Sequence, residues 1–354
     1  MEHIKPLQKR DALQLIRRRK GETRVGEMAN YTETGKTLKE NLKNIAAQFV
    51  LLGIPEDIGV RANYGRGGAQ TAWKPALENI LSIQSNSYFE GKELLILGEV
   101  EVEDLLLKTK NLSQKNTDDL KELRLITEEI DDRVFPVVKE IIAAGKTPIV
   151  IGGGHNNAYG LLKGTSEGLM KRSGNKNLSV NAINCDAHAD LRPLEGRHSG
   201  NGFSYAIKNK YLSKYAAVGI HENYLTQDAH LTFLNNPGSL LLRTYEDIFV
   251  RGKISFEKTL SEAFSFLKGN PCGIELDLDA ITNVPSSAKT SSGISPVQAR
   301  QYAYQCGKKL PCAYFHIAEG APVLAHLKAD NKTGKLIGYL VTDFIKGFLE
   351  RNGK

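Results

Sequence analysis

The feature that most constrains this chain is a regular alternation of short apolar runs with helical stretches, beginning near residue 45. Eight runs read as strands: 48–54, 94–100, 148–153, 178–186, 215–221, 239–245, 272–279 and 313–319. Most are continuously apolar rather than alternating, the pattern of strands buried on both faces. Between them, 118–144 has helical spacing, with Pro136 expected to kink or split it. Ser295 is a natural N-cap and Pro296 suits a first helical turn, so a helix is expected over 297–310. Residues 334–351 read as a last amphipathic helix. The alternation implies an α/β fold, a mostly parallel sheet with helices on both faces. Ligands of such sheets gather beyond the carboxyl ends of the strands.

Three expected strand ends carry chemistry. The third runs into Gly152-Gly153-Gly154-His155, the fourth into Cys185-Asp186-Ala187-His188-Ala189-Asp190, and the seventh closes on Glu275-Leu276-Asp277-Leu278-Asp279. Residues i, i+2 and i+4 of an extended segment face one side. Asp186, His188 and Asp190 can therefore converge, as can Asp277 and Asp279. Singly, each stretch is ambiguous. Glycines before a histidine also serve tight turns and phosphate loops, and Asp-x-His-x-Asp could be a solvated turn. Together, four aspartates would repel one another and raise some of their pKa values, whereas two divalent cations would cancel their charge. A dinuclear metal centre is the expectation. Oxygen-rich ligation with a minority of imidazole suits Mn²⁺ better than zinc. Two such ions roughly 3.5–4 Å apart can hold a bridging water and present it as hydroxide.

Composition narrows the class further. The 354 residues are 41% hydrophobic and 25% charged, enough apolar material for a sizeable core without disulfide staples. No apolar run approaches the ~20 residues of a membrane-spanning helix. Cys185, Cys272, Cys306 and Cys312 make neither a disulfide framework nor a C-x-x-C motif, and the first residues offer no apolar signal stretch. A reducing, cytoplasmic compartment is expected. Of the net charge of +7, residues 1–50 carry +5, from 11 Lys/Arg against 6 Asp/Glu. Without interleaved aromatics or a nucleic-acid motif, residues 1–45 are expected to be a basic arm or helix rather than a nucleic-acid contact.

The three strand-end segments resemble the signature motifs of the ureohydrolase superfamily of arginases, agmatinases and formimidoylglutamases. The resemblance spans about residues 48–345 and implies an arginase-like three-layer α/β/α fold with an eight-stranded sheet, making 46–354 one catalytic domain. It implies two Mn²⁺ per chain. One would be held by His155, Asp186, Asp190 and Asp277, the other by His188, Asp186, Asp277 and Asp279. Asp190 would relay a proton, and Glu319 in Ala318-Glu319-Gly320-Ala321-Pro322 would pair with a cationic amidine. Without the family, Glu319 could equally be a strand-end surface residue. Gly65-Arg66-Gly67-Gly68-Ala69 resembles the family's early glycine-rich loop. In the loop 191–203, Ser199 and Asn201 match polar substrate positions. Arg192-Pro193, Arg197 and a Ser-Gly-x-x-Phe ending look most like formimidoylglutamase, as does Ile54-Pro55-Glu56-Asp57-Ile58-Gly59-Val60-Arg61. Arginases and agmatinases typically place a histidine where Phe203 stands. Guanidinium forks suit a substrate with two carboxylates, although surface arginines are commonly just solvated. The implied reaction is hydrolysis of N-formimidoyl-L-glutamate to L-glutamate and formamide by a metal-bridging hydroxide, a step of histidine degradation. Another guanidino-compound hydrolase, arginase included, is the alternative within the class. A non-catalytic metal-binding homologue is the alternative outside it, and the full ligand set argues against that one. Family resemblance further implies a homo-oligomer, trimer or hexamer, acting on a small molecule.

Overall fold

In the computed structural model, which describes residues 2–325 and 331–353, the eight expected strands all form and pair into one sheet. Two short strands from the first 45 residues join them. In chain order the ten are β1 (Ile4–Pro6), β2 (Asn30–Tyr31), β3 (Phe49–Gly53), β4 (Leu94–Val100), β5 (Thr147–Ile151), β6 (Val180–Cys185), β7 (Leu212–Ile220), β8 (Leu240–Thr244), β9 (Cys272–Asp277) and β10 (Cys312–Ala318). The sheet order is β1-β4-β3-β5-β10-β9-β6-β7-β8, with β2 also on β4. Only β1 runs antiparallel; it closes the edge against β4, where Ile4 pairs with Val100. The strand count thus exceeds the expected eight by these two short additions. Residues 1–45, expected as a basic arm or helix, supply both of them together with three short helices.

Strands that are apolar throughout must bury both faces, and these do. Phe49 and Leu51 face one core, Val50 and Leu52 the other. Helices Trp73–Leu81, Phe256–Phe266, Pro296–Lys309 and Lys332–Arg351 cover the first face through Leu77, Leu260, Ala299 and Phe344. Thr117–Ala143, Asn157–Ser173 and Gly202–Lys208 cover the second through Leu123, Leu161 and Phe203. Pro136 does not split the helix: Thr117–Ala143 runs through it as one 27-residue element. Packing of Ile130, Val134, Val137 and Ile141 on the sheet outweighs the single backbone bond a proline removes. Ser295 caps the Pro296–Lys309 helix as expected, its hydroxyl accepting from Gln298 N–H while the Gln298 side chain reaches back. Among the described residues no helix is long and apolar enough to cross a membrane.

The sheet order explains where a site can stand. β5, β10, β9 and β6 are consecutive neighbours, although they are far apart in the chain. Their registers bring the carboxyl ends level: Ile317 pairs with Ile151, Ala318 with Asp277, and Cys185 with Leu276.

Candidate metal centre

Each of these four strand ends releases its side chains at the same height. After β5 the chain turns through Gly152 and Gly153, both at positive φ. A Cβ on Gly153 would lie 2.3 Å from the Asn157 amide and 2.9 Å from Glu56 Oε1, so only glycine lets this turn close. Glu56, fully buried, braces the turn from below. It accepts from the N–H of Gly154 (2.8 Å), from the amides of Asn157 (2.7 Å) and Asn156 (3.2 Å), and from Ile58 N–H (2.7 Å). The turn delivers His155 to the sheet's end, 1% exposed.

His155 Nδ1 lies 2.9 Å from Asp190 Oδ2 and 3.2 Å from one oxygen each of Asp186 and Asp277. Ligand-type atoms of these four side chains all fall within 4.8 Å of one another. His188 extends the cluster outward, its Nδ1 3.5 Å from Asp186 and 3.9 Å from Asp279. The carboxylates are held from the protein side: His188 N–H donates to Asp186 (2.7 Å), Asn184 donates to its other oxygen (3.0 Å), and Asp279 N–H donates to Asp277 (2.6 Å). Glu319 enters from β10 and accepts from His155 N–H at 2.9 Å and from the Ser287 hydroxyl at 3.2 Å. Asp190 and Glu319 both sit at positive φ, strain that a side chain with a fixed aim sustains.

The electrostatics is that of acids crowded out of water. Burial, then the neighbouring Asp186 and Asp279, pushes Asp277 well above the carboxylate range. Burial and Asp186 raise Asp190, and burial raises Asp279. Burial, with Asp279 nearby, lifts Glu319 to about 8. Asp186 alone is held low, because His155 and His188 outweigh its burial. The same carboxylates raise both imidazoles against burial, His188 to about 10.

A cavity of about 410 Å³ opens above the cluster, and His188, Asp190, Asp277, Asp279 and Glu319 line its floor. Of the residues expected to hold substrate, Arg192 and Ser199 line the wall. Arg197 and Asn201 do not, and the structure corrects their expected role. Arg197 is buried and fully engaged: Nε donates to Asp131 (2.8 Å), Nη1 to Asn201 (2.8 Å) and Nη2 to the Asn156 carbonyl (2.8 Å), with Tyr159 and Tyr205 against its plane. The Asn201 amide donates to the carbonyls of Pro193 and Gly196. Both shape the loop from behind. Phe203 is also buried, edge-on to His155 and stacked on Tyr215, so it backs the site and does not face the cavity.

Sequence reasoning placed Arg66 in a glycine-rich loop without giving it a role, and missed Asn63, Tyr64 and Tyr224 on the cavity wall, where no residue period marks them. It also passed over Glu275, whose carboxylate lies 3.4 Å from His155 Nε2 and whose position two residues before Asp277 on an extended strand was a usable signal.

Comparison with known proteins agrees with this geometry. The model of the arginase family matches residues 47–345. A formimidoylglutamase of Streptococcus pyogenes is 30% identical over 240 residues, covering 64% of this chain and 68% of the relative. Among solved structures, Trypanosoma cruzi formiminoglutamase with Mn²⁺ superposes with a TM-score of 0.68 at 20% identity, covering 93% of this chain and 99% of that one. Bacillus subtilis formimidoylglutamase gives 0.71 at 14% identity, covering 94% of each. At such identities these two structural likenesses speak for the fold.

Proposed function

The chain belongs to the arginase family, and from that premise we propose that it is a Mn²⁺-dependent formimidoylglutamase, hydrolysing N-formimidoyl-L-glutamate to L-glutamate and formamide. One observation carries the reading: His155, Asp186, Asp190 and Asp277 come together, with Asp190 and Asp277 lining a cavity that Arg192 also lines. Hydrolysis of an amidino C–N bond accords with the formimidoylglutamase relatives.

The residues fit a pair of divalent cations. His155 Nδ1 is buried without a hydrogen-bond partner and faces three carboxylates, and the donor set is mostly oxygen, which suits Mn²⁺. We assign one cation to His155, Asp186, Asp190 and Asp277 and the other to His188, Asp186, Asp277 and Asp279. When bound, such a pair would supply charge compensation and a water of lowered pKa. Asp190 would accept a proton from the attacking water and return it to the glutamate nitrogen as the C–N bond breaks, the water oxygen ending in formamide. Glu319 pairs with the amidinium, oriented by Ser287 and by His155 N–H. Ser199 offers a hydroxyl beside the substrate's tail.

With Arg197 buried, the guanidiniums at the cavity are Arg192 and Arg66. The Nε and Nη2 of Arg66 are pinned to the Ser287 carbonyl at 3.1 and 3.0 Å. Two cationic forks suit a dicarboxylate tail and disfavour the cationic tail of agmatine. The same reading places the enzyme in the cytoplasm, in histidine degradation, as a homo-oligomer. Arg192→Ala tests the assignment. A charge-assisted bond worth ~1.5–3 kcal/mol predicts a kcat/KM on formimidoylglutamate about 10- to 150-fold lower, chiefly through KM. Unchanged kinetics would remove Arg192 from the substrate site.

A further inference from the structure

Behind His155, on the side away from the cavity, lies a buried cluster that the proposed chemistry does not use. Glu275 stands in β9 on the same face as Asp277 and is wholly buried. Its Oε1 accepts from the Tyr314 hydroxyl at 2.5 Å. Its Oε2 lies 2.6 Å from His316 Nδ1 and 3.4 Å from His155 Nε2. His316 is its cross-strand partner in β10, and the other ring nitrogen faces the Gly152 carbonyl at 3.4 Å. Residue 273 must be glycine for this cluster to exist, since a Cβ there would lie 2.4 Å from the Tyr314 ring. A cation within the cluster itself does not fit. At 2.6 Å the carboxylate and His316 are already in hydrogen-bond contact, closer than two ligands at roughly 2.0–2.2 Å from one ion would stand.

An imidazole binds a cation through one nitrogen's lone pair, so its proton must sit on the other. With Nδ1 of His155 facing Asp186, Asp190 and Asp277, the proton belongs on Nε2, which is buried without a formed hydrogen bond and has a Glu275 carboxylate oxygen 3.4 Å away. We propose that Glu275 is a positioning residue that fixes the tautomer and ring orientation of His155, and thereby the cation affinity of the site His155 serves. Tyr314 and His316 hold the carboxylate in that place. The proposal rests on His155 being a metal ligand, as read above.

The test measures metal binding and not turnover: Mn²⁺ titration by calorimetry, with metal analysis, on the wild type, Glu275→Gln, Glu275→Asp and Tyr314→Phe. Carboxylate partners of metal-bound histidines are worth about 10- to 100-fold in affinity. Glu275→Gln should weaken one of two Mn²⁺ sites by that amount and leave the other unchanged. Glu275→Asp keeps the charge but withdraws it from His155, so it should do the same and serves if the Gln variant fails to fold. Tyr314→Phe removes one of the two bonds that hold Glu275 and keeps the His316 contact, so it should weaken the same site by less than Glu275→Gln does and leave the other unchanged. In a His155→Asn background, Glu275→Gln should add nothing to the loss. Wild-type affinity at both sites in a folded Glu275 variant would overturn the proposal. So would equal losses at both sites in all three variants, which mark a general structural effect, or a third Mn²⁺ that disappears with Glu275. A wild type that binds fewer than two Mn²⁺ would instead overturn the metal reading, and the positioning role with it.

Discussion

Asp186 lies 3.2 Å from the His155 ring and 3.5 Å from the His188 ring, and Asp277 turns one oxygen toward His155; the reading above gives both to both cations. A shared carboxylate lost from a two-cation site unbalances both ions. Asp186→Ala and Asp277→Ala should each bind fewer than two Mn²⁺ and lose several kcal/mol of transition-state stabilisation, at least about a thousandfold in rate. Full metal content with retained turnover in Asp277→Ala would contradict this. A second residue-scale prediction concerns His198, buried in the loop beside Arg192. Its Nδ1 accepts from Gly200 N–H at 3.1 Å and its Nε2 faces Glu195 at 3.2 Å. Burial, with Arg124, Arg192 and Arg197 nearby, pushes its pKa down to about 3. Between that value and about 6.5 the unfolded chain binds a proton that the folded chain does not, so this group withdraws stability as pH falls through that window. The urea midpoint should therefore drop less from pH 7 to pH 5 in His198→Asn than in the wild type at equal metal content. An equal or larger drop would contradict the assignment. The metal-type residues were legible in the sequence because strand period puts 186, 188 and 190, or 277 and 279, on one side. Arg197 was misread because residue type alone does not tell a cavity-facing guanidinium from one that meets a buried Asp131, 66 positions earlier in the chain.

The elements that carry the site are short loops clamped to rigid strands. Glu56 links the loop after β3 to the glycine turn after β5. Arg197 links the Thr117–Ala143 helix, the 191–203 loop and the carbonyl beside His155. Removing one member of a buried ion pair costs about 3–5 kcal/mol, because the other is left uncompensated. Arg197→Ala and Asp131→Ala should therefore each lower the melting temperature clearly, and the double variant should cost less than the sum. Arg192→Ala, exposed at the wall, should leave it nearly unchanged. Equal thermal effects of Arg192→Ala and Arg197→Ala would sink the distinction. At this scale the sequence showed all eight long strands, since runs buried on both faces have an unmistakable composition. β1 and β2 escaped notice because a strand of three or two residues has no period to read. The loops at 65–69 and 191–203 showed through their motifs, but the aim of Arg66 did not, because it is set by the carbonyls of Ser286 and Ser287 some 220 positions away.

At the scale of the whole molecule, one of the two apolar cores, on one face of the sheet, buries all four cysteines. Burial pushes the Cys312 thiol up to about 12, and raises the other three as well. A thiol reagent should therefore label none of them in the native protein and all four after denaturation. Rapid labelling of native Cys185 would mean that the sheet's end is open behind Asp186. The sheet would also set what the proposed enzyme can select: with two cations held at the strand ends, the rim loops would meet the rest of the substrate. A metal floor of this kind serves amidines and guanidines alike. On the proposed reading, discrimination would fall to Arg192 and Arg66 on the cavity wall, whose charge would favour two carboxylates over a cationic tail. The most direct measurement is therefore a comparison on one Mn²⁺-reconstituted preparation of counted metal content, following formamide release from N-formimidoyl-L-glutamate and urea release from L-arginine. The account predicts a far higher kcat/KM for formamide release. Faster urea release from arginine, or no formamide from a protein that holds both Mn²⁺, would contradict it.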